Sequence, residues 1–462
     1  MKCLILAAGD GTRMRIFPQY SKLPKSLIPV YGVAIIERII KTIKKSDIND
    51  FIIVLGYKSH LIKSFLEKRK LDVNISFISN LDWETKDNAY SVYLAKKYLK
   101  EEKKFLMVMG DHLFDERIIE NLIRYQSDKI LTLVISREKA LKEDTKVLEE
   151  NGLIIENGKN LKKFNAVDKG IFLCQPQVFD YFEKAIKKNK TQISDVVNFI
   201  AKDKKADIFD ISSISYDYIK KLRKRVNLWC IDIDTPEELK KAEKKILEKI
   251  TKDPSDLVAK YFNYHLENFL TTKLSPLPIS PNQVTLFVNF LAYITAFLFL
   301  KGQLTLAIIL AFIVGVIDGV DGKLARLKME ETKIGEMEHA FDFLFESIWI
   351  LALGTYFSQA FSNNLYLILS SLIISLTGFY RFVYDRFGKI TRISLDMIDS
   401  LSKKIRRIAA RRNIFNLIIL LTLIINKPQL SLLIIFFLSL FTACFYTIQA
   451  YRFLKDNKKI TK

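Results

Sequence analysis

Two aspartates three residues apart close a long apolar stretch in the C-terminal half of the chain. In the segment "VIDGVDGKLAR", residues 316–326, Asp318 and Asp321 follow a run of apolar residues that begins at Leu304. Side chains at positions i and i+3 of a helix lie on one face, so the two carboxylates point the same way. Carboxylates at membrane depth are costly unless they meet a metal ion, a charged partner or water. The pair therefore predicts a site for divalent cations.

A second acidic stripe follows across a short polar segment. Glu338, Asp342 and Glu346 recur every four residues and would share one face of the next helix. Oxygen ligands from two adjacent helices suit Mg²⁺ or a similar ion. Gly319 and Gly322 leave backbone room beside the aspartates for a bulky ligand. The two stripes together predict one metal site shared by two helices.

The first stripe resembles the signature of the CDP-alcohol phosphotransferase family. The matching positions, which run without a gap, are Asp318, Asp321, Gly322, Ala325, Arg326 and Gly335. The resemblance covers about residues 256–455 and implies a six-helix membrane enzyme. In such an enzyme four acids hold two Mg²⁺ ions, with Mn²⁺ as an alternative, on the pyrophosphate of a CDP-alcohol. An acceptor hydroxyl attacks the β-phosphorus and CMP leaves. Nucleotide contacts are expected at Gly322, Ala325 and Arg326.

The sequence then departs from this signature. The positions that carry the remaining two acids in the family hold His339 and Phe343, which are not carboxylates. A one-residue change of register supplies Glu338 and Asp342 instead, and we favour this alternative. The other alternative, Asp342 with Glu346, requires a longer insertion. In the family the last acid is the general base toward the acceptor hydroxyl, so Asp342 or Glu346 would take that role.

Basic residues at and after the fourth apolar stretch allow two interpretations. Arg381 and Arg386, with Arg392, could bind an anionic acceptor near the metal ions. They could equally anchor the chain on the cytoplasmic side of a membrane. The sequence leaves both interpretations open.

A glycine loop follows the first apolar run of the chain. In "LAAGDGTRMRIFPQYSKLPKSLIPVYG", residues 6–32, Gly9 and Gly11 stand where backbone amides must approach phosphates closely. Met14 occupies the position of the third glycine of a Rossmann loop, and the G-K-[ST] end of a Walker loop is absent. The loop therefore fits neither of these two phosphate-binding motifs.

The loop resembles the sugar-phosphate nucleotidylyltransferase family instead. The sequence G-x-G-T-R is followed by P-K-x-L-x-P-V, here Pro24, Lys25, Leu27, Pro29 and Val30. The resemblance covers about residues 1–248. It implies that a phosphate monoester attacks the α-phosphorus of a nucleoside triphosphate, where negative charge must be neutralised. Nucleotide contacts are expected at Ala8, Gly9, Gly11 and Thr12.

The same resemblance assigns roles to charged residues in this half. Arg13 would grip the departing pyrophosphate, and Lys25 the attacking phosphate. Asp111, which ends a strand in "VMGDHLFD", and a second aspartate in "WCIDIDTPEEL" would hold one Mg²⁺ together with the nucleotide oxygens. For the second aspartate, Asp234 is the better match and Asp232 is its neighbour.

Two further stretches point to the acceptor pocket by this resemblance. "ETKDNAYSVYLA" resembles a stretch of the choline-phosphate and inositol-phosphate branch that touches the base or the acceptor, with Asp87 where asparagine is usual. "AVDKGIFLC" places Asp168 and Gly170 where the family lines its acceptor pocket. Asp87 has the alternative role of capping a helix, and Gly170 that of packing within a strand.

Two kinds of segment must position these residues. Up to about residue 250, short β-rich apolar runs alternate with amphipathic helices, which predicts an α/β domain with a mostly parallel, Rossmann-like sheet. Residues 251–282 predict a linker with an interfacial amphipathic helix, and a helix packed on the soluble domain is the alternative. Residues 283–462 predict an all-α membrane domain of six transmembrane helices, in apolar stretches at about 284–300, 304–325, 338–357, 365–384, 414–425 and 430–451.

Positive charge is unevenly distributed among the loops between these stretches. The first, third and fifth loops together contain only two basic residues, Lys301 and Lys427, whereas the second and fourth loops are rich in lysine and arginine. By the positive-inside rule, the N-terminal domain, both basic loops and the C-terminus face the cytoplasm of a multi-pass cell-membrane protein. Because these loops account for part of the net charge of +21, nucleic-acid binding is the least favoured class of function.

The two halves suggest consecutive reactions. The first would make a CDP-alcohol from CTP and a phosphorylated polyol, and the second would consume a CDP-alcohol beside membrane lipid. This order is similar to that of a bifunctional family that joins an inositol-1-phosphate cytidylyltransferase to a di-myo-inositol phosphate phosphate synthase. The expected acceptor is then inositol 1-phosphate, and the expected assembly is a homodimer through the membrane domain. Two alternatives stay open, a lipid acceptor and a membrane half that only anchors the soluble enzyme.

Overall fold

Two compact units make up the chain. The computed structural model describes residues 1–214, 218–219, 224–253, 256–330 and 338–456, with the side chains of 218, 219, 338 and 339 left aside. Unit 1 comprises Met1–Asp217 and Arg225–Glu248, and unit 2 comprises Lys249–Lys462 with Tyr218–Lys224. The division near residue 249 lies beside the position at which the sequence predicts a domain boundary.

Unit 1 contains most of the strands and most of the helices up to residue 250, whereas the strand Tyr218–Ile219 and residue Lys224 belong to unit 2. The strands of the described residues are β1 (Lys2–Ala7), β2 (Pro29–Val30), β3 (Val33–Ala34), β4 (Asp50–Leu55), β5 (Asn74–Ser79), β6 (Phe105–Met109), β7 (His112–Phe114), β8 (Leu131–Ser136), β9 (Lys146–Glu150), β10 (Leu153–Gly158), β11 (Ala166–Cys174), β12 (Ala206–Asp210), β13 (Tyr218–Ile219), β14 (Lys224–Arg225) and β15 (Cys230–Asp232). The helices up to residue 250 are α1 (Thr12–Arg15), α2 (Ile35–Lys44), α3 (Ser59–Lys68), α4 (Asn88–Leu94), α5 (Lys96–Leu99), α6 (Glu116–Arg124), α7 (Val178–Lys187), α8 (Ile193–Lys202) and α9 (Pro236–Ile250).

Nine strands form one sheet in the order β5-β4-β1-β6-β11-β8-β12-β10-β9. This confirms the predicted α/β class, but the sheet is mixed. Strands β5, β4, β1 and β6 run parallel, as do β8 and β12, whereas β11 is antiparallel to both of its neighbours β6 and β8. A strand buried on both faces is apolar whichever way it runs, so its composition does not reveal its direction. Helices α4, α7 and α8 pack on one face through residues such as Val92, Phe179 and Val197.

Two neighbouring parallel strands end at the edge that carries the site of unit 1. Strand β1 ends at Ala7 before the glycine loop, and β6 ends at Met109 before Asp111. The separate antiparallel pair β7 and β15 places Asp232 directly opposite His112. This register brings the segment near residue 232 to the end of β6.

Unit 2 is all-α in its described residues from 249 onward. A π-helical turn, Ala259–Asn263, leads into the first of its helices. The helices are α10 (Tyr264–Leu274), α11 (Pro281–Leu300), α12 (Leu304–Lys328), α13 (Glu338–Ala360), α14 (Leu365–Thr391), α15 (Ser400–Arg406), α16 (Arg412–Ile424) and α17 (Leu430–Asp456). Apolar side chains from five of the long helices and from α16 form one buried core, and Trp349 Nε1 donates a hydrogen bond of 2.7 Å to the Ala292 carbonyl within it.

Five helices of the described residues are long and apolar enough to cross a membrane: Pro281–Leu300, Leu304–Lys328, Ala340–Ala360, Leu365–Thr391 and Leu430–Asp456. The sixth predicted stretch is also a helix, α16, but it has only 13 residues. At about 1.5 Å per residue it spans about 20 Å, which is short of the about 30 Å of a hydrocarbon core. The prediction of six apolar helices is therefore close, and α16 is the one that falls short in length.

Candidate active sites

Three carboxylates surround one lysine ammonium at the edge of the unit 1 sheet. Lys25 Nζ lies 2.7 Å from Asp111 Oδ2 and 3.3 Å from Asp232 Oδ1, and it also donates to Asp234 Oδ1. The Lys25 side chain is buried, which leaves its charge dependent on these partners. Residues separated by as many as 209 positions thus converge on one point.

Local structure fixes the surroundings of this cluster. Pro24 is extended and begins the short 3-10 turn that carries Lys25. Arg13, on α1, forms an ion pair of 2.5 Å with Asp234 Oδ2. The backbone amides of Asp234 and Thr235 both donate to Glu238 Oε2, at 2.8 and 2.9 Å. These bonds hold the start of α9, and with it Asp234, in place.

The charges of the cluster shift one another's pKa values. Burial would lower the pKa of Lys25, but the three carboxylates outweigh it and raise that pKa above its ordinary value. Burial would raise the pKa of Asp111, but Lys25 and His112 hold it below its usual range. Burial and the Asp111 charge raise the pKa of Asp232 to about 6. Burial would lower the pKa of His112, but Asp232 and Asp111 raise it to about 9.

Asp111, His112 and Asp232 form a group that fits a divalent ion. One ligand atom from each lies within 4.8 Å of the others, and among the described residues this is the group of three that meets that spacing. Two carboxylates and an imidazole are suitable ligands for ions such as Mg²⁺ or Mn²⁺. The buried Lys25 ammonium beside them shows that the carboxylates favour positive charge there. The sequence favoured Asp234 as the second metal aspartate, whereas this geometry favours Asp232 because Asp234 pairs with Arg13.

The glycine loop lines a cavity of about 290 Å³ together with Thr12, Arg13, Lys25 and Asp111. Gly11 has φ +64°, and a Cβ atom there would lie 2.7 Å from Lys25 Cβ, so both its conformation and the close approach of Lys25 require glycine. Gly9 also lines the cavity. Ala8 lies buried behind the loop, where its carbonyl accepts a hydrogen bond from Tyr57 N at 3.0 Å.

A second cavity of unit 1, about 400 Å³, shares Asp111 and Asp232 with the cluster. Asp87, Asp168 and Gly170 line it, so the structure brings the predicted acceptor residues to one cavity. Asp168 accepts hydrogen bonds from Asn157 Nδ2 at 3.0 Å and from Gly170 N at 2.7 Å, and burial raises its pKa. Asp87 accepts from Thr191 Oγ1 at 2.8 Å and makes no capping bond to α4.

The acidic residues of unit 2 meet at a cavity of about 770 Å³. Its lining includes Asp318, Gly322 and Arg326 from α12, with Asp342 and Glu346 from α13. The signature helix and the next helix therefore both contribute acids to this lining, namely Asp318 from α12 and Asp342 with Glu346 from α13, whereas Asp321 is not among the lining residues. Asp321 is buried beside this cavity and accepts a hydrogen bond from Thr285 Oγ1 at 2.7 Å.

Two arginines neutralise the outer acids of this cavity. Arg412 forms an ion pair with Asp318, and its Nε lies 3.8 Å from Glu346 Oε1. Arg381 forms an ion pair with Glu346 and stacks on the Phe343 ring at 5.2 Å. Asp342 and Asp321 both interact electrostatically with Asp318. The described acids of unit 2 are thus neighbours, but more widely spaced than Asp111, His112 and Asp232.

Three other expectations for unit 2 have different outcomes. Glu338 begins α13, but its side chain lies outside the part of the chain that the structure describes. Arg386, for which the sequence allows acceptor binding or membrane anchoring, has an exposed side chain that stacks on the Phe382 ring at 5.0 Å and lies outside the cavity lining. Ala325 lies on α12, partly exposed, and also outside that lining.

Several residues of the two sites were not predicted from the sequence. His112 had a signal, because it directly follows Asp111 at the end of a strand. Arg412 and Glu267 had none, because their partners Asp318 and Lys323 lie far away in sequence. Glu267 also changes the interpretation of Gly319: a Cβ atom at Gly319 would lie 2.4 Å from Glu267 Cδ, so the predicted space for a ligand is filled by this carboxylate.

Comparisons with known proteins assign a family to each half of the chain. Residues 2–249 match the model of the nucleotidyl transferase family, and residues 278–445 match that of the CDP-alcohol phosphatidyltransferase family. A bifunctional IPC transferase and DIPP synthase of Aquifex aeolicus is 30% identical over 338 residues, which cover 72% of each chain. That of Thermococcus kodakarensis is 30% identical over 341 residues, which cover 72% of this chain and 71% of its own.

The chain belongs to the family of bifunctional IPC transferase and DIPP synthase enzymes. It is therefore a transferase with a nucleotidyltransferase and a CDP-alcohol phosphotransferase domain, and the five candidate spans indicate a membrane protein. Families of these two types use divalent metal ions. The solved inositol-1-phosphate CTP transferase from T. maritima is similar at 22% identity and a TM-score of 0.44, covering 53% of this chain and 94% of its own.

The Gly11→Ala substitution tests the conformational role of the glycine loop. We expect it to destabilise unit 1 by about 1–2 kcal/mol, because a left-handed conformation costs that much with a side chain, and to displace Lys25. Thermal unfolding and nucleotidyl transfer by the same protein measure both effects. Gly158→Ala is the matched control, because its Cβ atom would meet nothing within 4 Å. Wild-type unfolding and rate in Gly11→Ala would contradict the assignment.

Comparison of Asp232→Asn with Asp234→Asn tests which aspartate binds the metal ion. We expect Asp232→Asn to weaken Mn²⁺ binding to unit 1 by at least roughly 10- to 100-fold. Mutation of a residue that only supports a metal ligand already has an effect of this size. Asp234→Asn should weaken it less, because Asp234 pairs with Arg13. Electron paramagnetic resonance of Mn²⁺ in the presence of a nucleotide measures the affinity, with the exposed Asp128→Asn as the control. The reverse order of the two variants would restore Asp234 as the ligand.

Proposed function

We propose that unit 1 transfers a cytidylyl group from CTP to inositol 1-phosphate, and that unit 2 transfers the phosphoinositol group of the resulting CDP-inositol to a second inositol 1-phosphate. The observation that carries this proposal is the similarity of the chain, across both domains, to enzymes named bifunctional IPC transferase and DIPP synthase. A carboxylate-lined cavity in each unit supports two reactions in sequence.

In unit 1 a phosphate oxygen of inositol 1-phosphate attacks the α-phosphorus of CTP, and pyrophosphate leaves as the bond to its bridging oxygen breaks. The amides of the loop that contains Gly9, Gly11 and Thr12 face the triphosphate, and Arg13 neutralises the departing pyrophosphate. Lys25 holds the attacking phosphate. A Mg²⁺ ion at Asp111 and Asp232, with Mn²⁺ as the alternative, would withdraw charge from the α-phosphate.

The 400 Å³ cavity of unit 1 is the proposed acceptor pocket. Its position beside Asp111 and Asp232 would place an acceptor phosphate close to the α-phosphorus. Asp168 and Asp87 supply oxygens that accept hydrogen bonds from polyol hydroxyls. Gly170, at φ +63°, lets His112 approach, since a Cβ atom there would lie 2.8 Å from His112 Nε2. The pocket thus selects a ligand with several hydroxyl groups.

In unit 2 the acceptor hydroxyl attacks the β-phosphorus of CDP-inositol, and CMP leaves as the pyrophosphate linkage breaks. Asp342, the last acid in the favoured register, accepts the hydroxyl proton. Gly322, Ala325 and Arg326 contact the nucleotide, and Arg381 the acceptor phosphate. Two Mg²⁺ ions would stabilise charge on the pyrophosphate. The proposed ligands are Asp318, Asp321, Glu338 and Asp342, with Glu346 as the alternative to Glu338.

The proposed location is the cell membrane, with unit 1 and the C-terminus on the cytoplasmic side. This requires α16 to act as a sixth crossing, for example through local thinning of the bilayer. The concentration of lysine and arginine in the second and fourth loops supports the orientation. A homodimer through unit 2 is proposed from the family resemblance, and contact of α10 with lipid headgroups from the mixture of aromatic and polar residues in that segment.

The substrates are tested by incubating the purified full chain with CTP, Mg²⁺ and a panel of phosphorylated polyols, followed by mass spectrometry. We expect CDP-inositol, then CMP and a product that contains two inositols and two phosphates. UTP and dTTP serve as matched nucleotides. Consumption of only UTP or dTTP would reject the linked sequence, and transfer to added lipid alone would establish a lipid acceptor.

Asp321→Asn tests whether unit 2 is catalytic or only an anchor. We expect loss of metal-dependent CMP release with unchanged formation of CDP-inositol, because Asp321 belongs to unit 2 alone. Asp456→Asn, at the exposed end of α17, is the control of equal charge change. CMP release at the wild-type rate by Asp321→Asn would support the anchor and reject the phosphotransferase assignment.

A further inference from the structure

Three cationic side chains near the C-terminal end of the signature helix α12 have partners in the same segment of the chain. Each binds the segment that precedes the membrane helices, here called the juxtamembrane segment, within residues 250–279. Arg326 Nε donates to the Ile250 carbonyl at 2.8 Å, and Lys328 Nζ donates to the carbonyls of Leu277 and Ile279, both at 2.7 Å. The juxtamembrane segment is therefore bound to α12 at both of its own ends.

The middle contact is an ion pair close to the acids. Lys323 Nζ lies 2.9 Å from Glu267 Oε2 and 2.6 Å from Asn268 Oδ1, and both residues belong to α10. The side chains of Lys323 and Glu267 are only 6% and 15% exposed. Loss of either partner would leave a charge with little water to stabilise it. Both residues line the 770 Å³ cavity with Asp318.

Glu267 also packs against the backbone of α12 next to Asp318. The Glu267 carboxylate would lie within 2.4–2.7 Å of a Cβ atom at Gly319, so only glycine permits this approach. Gly319 lies between the two signature aspartates. A shift of Glu267 would therefore displace the helical turn that carries Asp318 and Asp321.

The opposite face of the juxtamembrane segment differs in character. Its exposed side chains include Tyr261, Phe262 and Phe269, whereas Asn263 and Thr271 are buried. Polar side chains of this segment thus face inward, although Lys260, His265 and Lys273 are exposed with the aromatic residues. A helix on the surface of a soluble domain usually buries an apolar side instead. Among these inward polar contacts, the Glu267–Lys323 pair joins two side chains of opposite charge.

We propose that Glu267 is a positioning residue of the unit 2 site, which fixes the turn of α12 that carries Asp318 and Asp321 through its ion pair with Lys323 and its contact with Gly319. The juxtamembrane segment is then a part of the phosphotransferase and not only a connection to unit 1. This inference rests on the proposed function of unit 2. It assigns no contact with substrate to Glu267.

Glu267→Gln, which keeps the size of the side chain and removes its charge, tests the proposal in the full-length protein with CDP-inositol and inositol 1-phosphate as substrates. We expect kcat for CMP release to fall roughly 10- to 100-fold, because misplacement of catalytic groups by about 1 Å has effects of that size. The Mn²⁺ concentration for half-maximal CMP release should rise, while CDP-inositol formation stays unchanged. Glu330→Gln, an exposed carboxylate just beyond α12, is the control.

Lys323→Met, alone and combined with Glu267→Gln in a double variant, separates the proposed role from an effect on folding. Both single substitutions remove the same ion pair, so the double variant should be no more impaired in kcat than Glu267→Gln alone. Two results would overturn the proposal. The first is a lower unfolding temperature with an unchanged Mn²⁺ requirement, which indicates a role in stability alone. The second is additive effects of the two substitutions on kcat. If wild-type protein releases no CMP, the function of unit 2 fails and this inference with it. If wild type is active and Glu267→Gln equals it, only this inference fails.

Discussion

Carboxylates that lie together away from water repel one another, and in both units a basic side chain from a distant part of the chain offsets that repulsion. Two like charges about 4 Å apart near a protein surface cost about 4 kcal/mol, which is a large share of the about 5–15 kcal/mol that stabilises a domain. In unit 1 Lys25 binds three aspartates. In unit 2 Arg412 and Arg381 bind Asp318 and Glu346. The folds therefore hold acids at the positions where we propose that polyphosphates and their metal ions bind.

The same constraint explains how the elements are arranged. The glycine loop, the end of β6 and the segment before α9 are separate in sequence, yet Lys25 joins Asp111, Asp232 and Asp234 from the last two of them. In unit 2 Arg412 begins α16 and reaches α12, so the short helix has a polar anchor as well as an apolar face. The same contacts thus balance the charge of the acids and hold the elements of each unit together.

The sequence was informative where chemistry depends on local spacing. Asp318 and Asp321 lie on one helix, and Gly9, Gly11 and Thr12 line one cavity, because these relations involve few residues. It was less informative where partners are far apart. The direction of β11, the pairing of Asp232 with His112 and the contact of Glu267 with Gly319 all depend on tertiary packing. Arg386 shows the converse, since an arginine near the site in sequence turns outward and stacks on Phe382. Local pattern gave the candidate acids, whereas their cationic partners required the structure.

The central claim is that the cluster of carboxylates in each unit binds divalent cations. The basic side chains beside each cluster then bind phosphate. Anomalous diffraction from crystals of the full chain grown with Mn²⁺ and a cytidine nucleotide tests it most directly. The account predicts one set of peaks between Asp111 and Asp232, and another among Asp318, Asp321 and Asp342 with Arg412 moved off Asp318. Peaks confined to unit 1, with the Arg412–Asp318 ion pair intact, would contradict it.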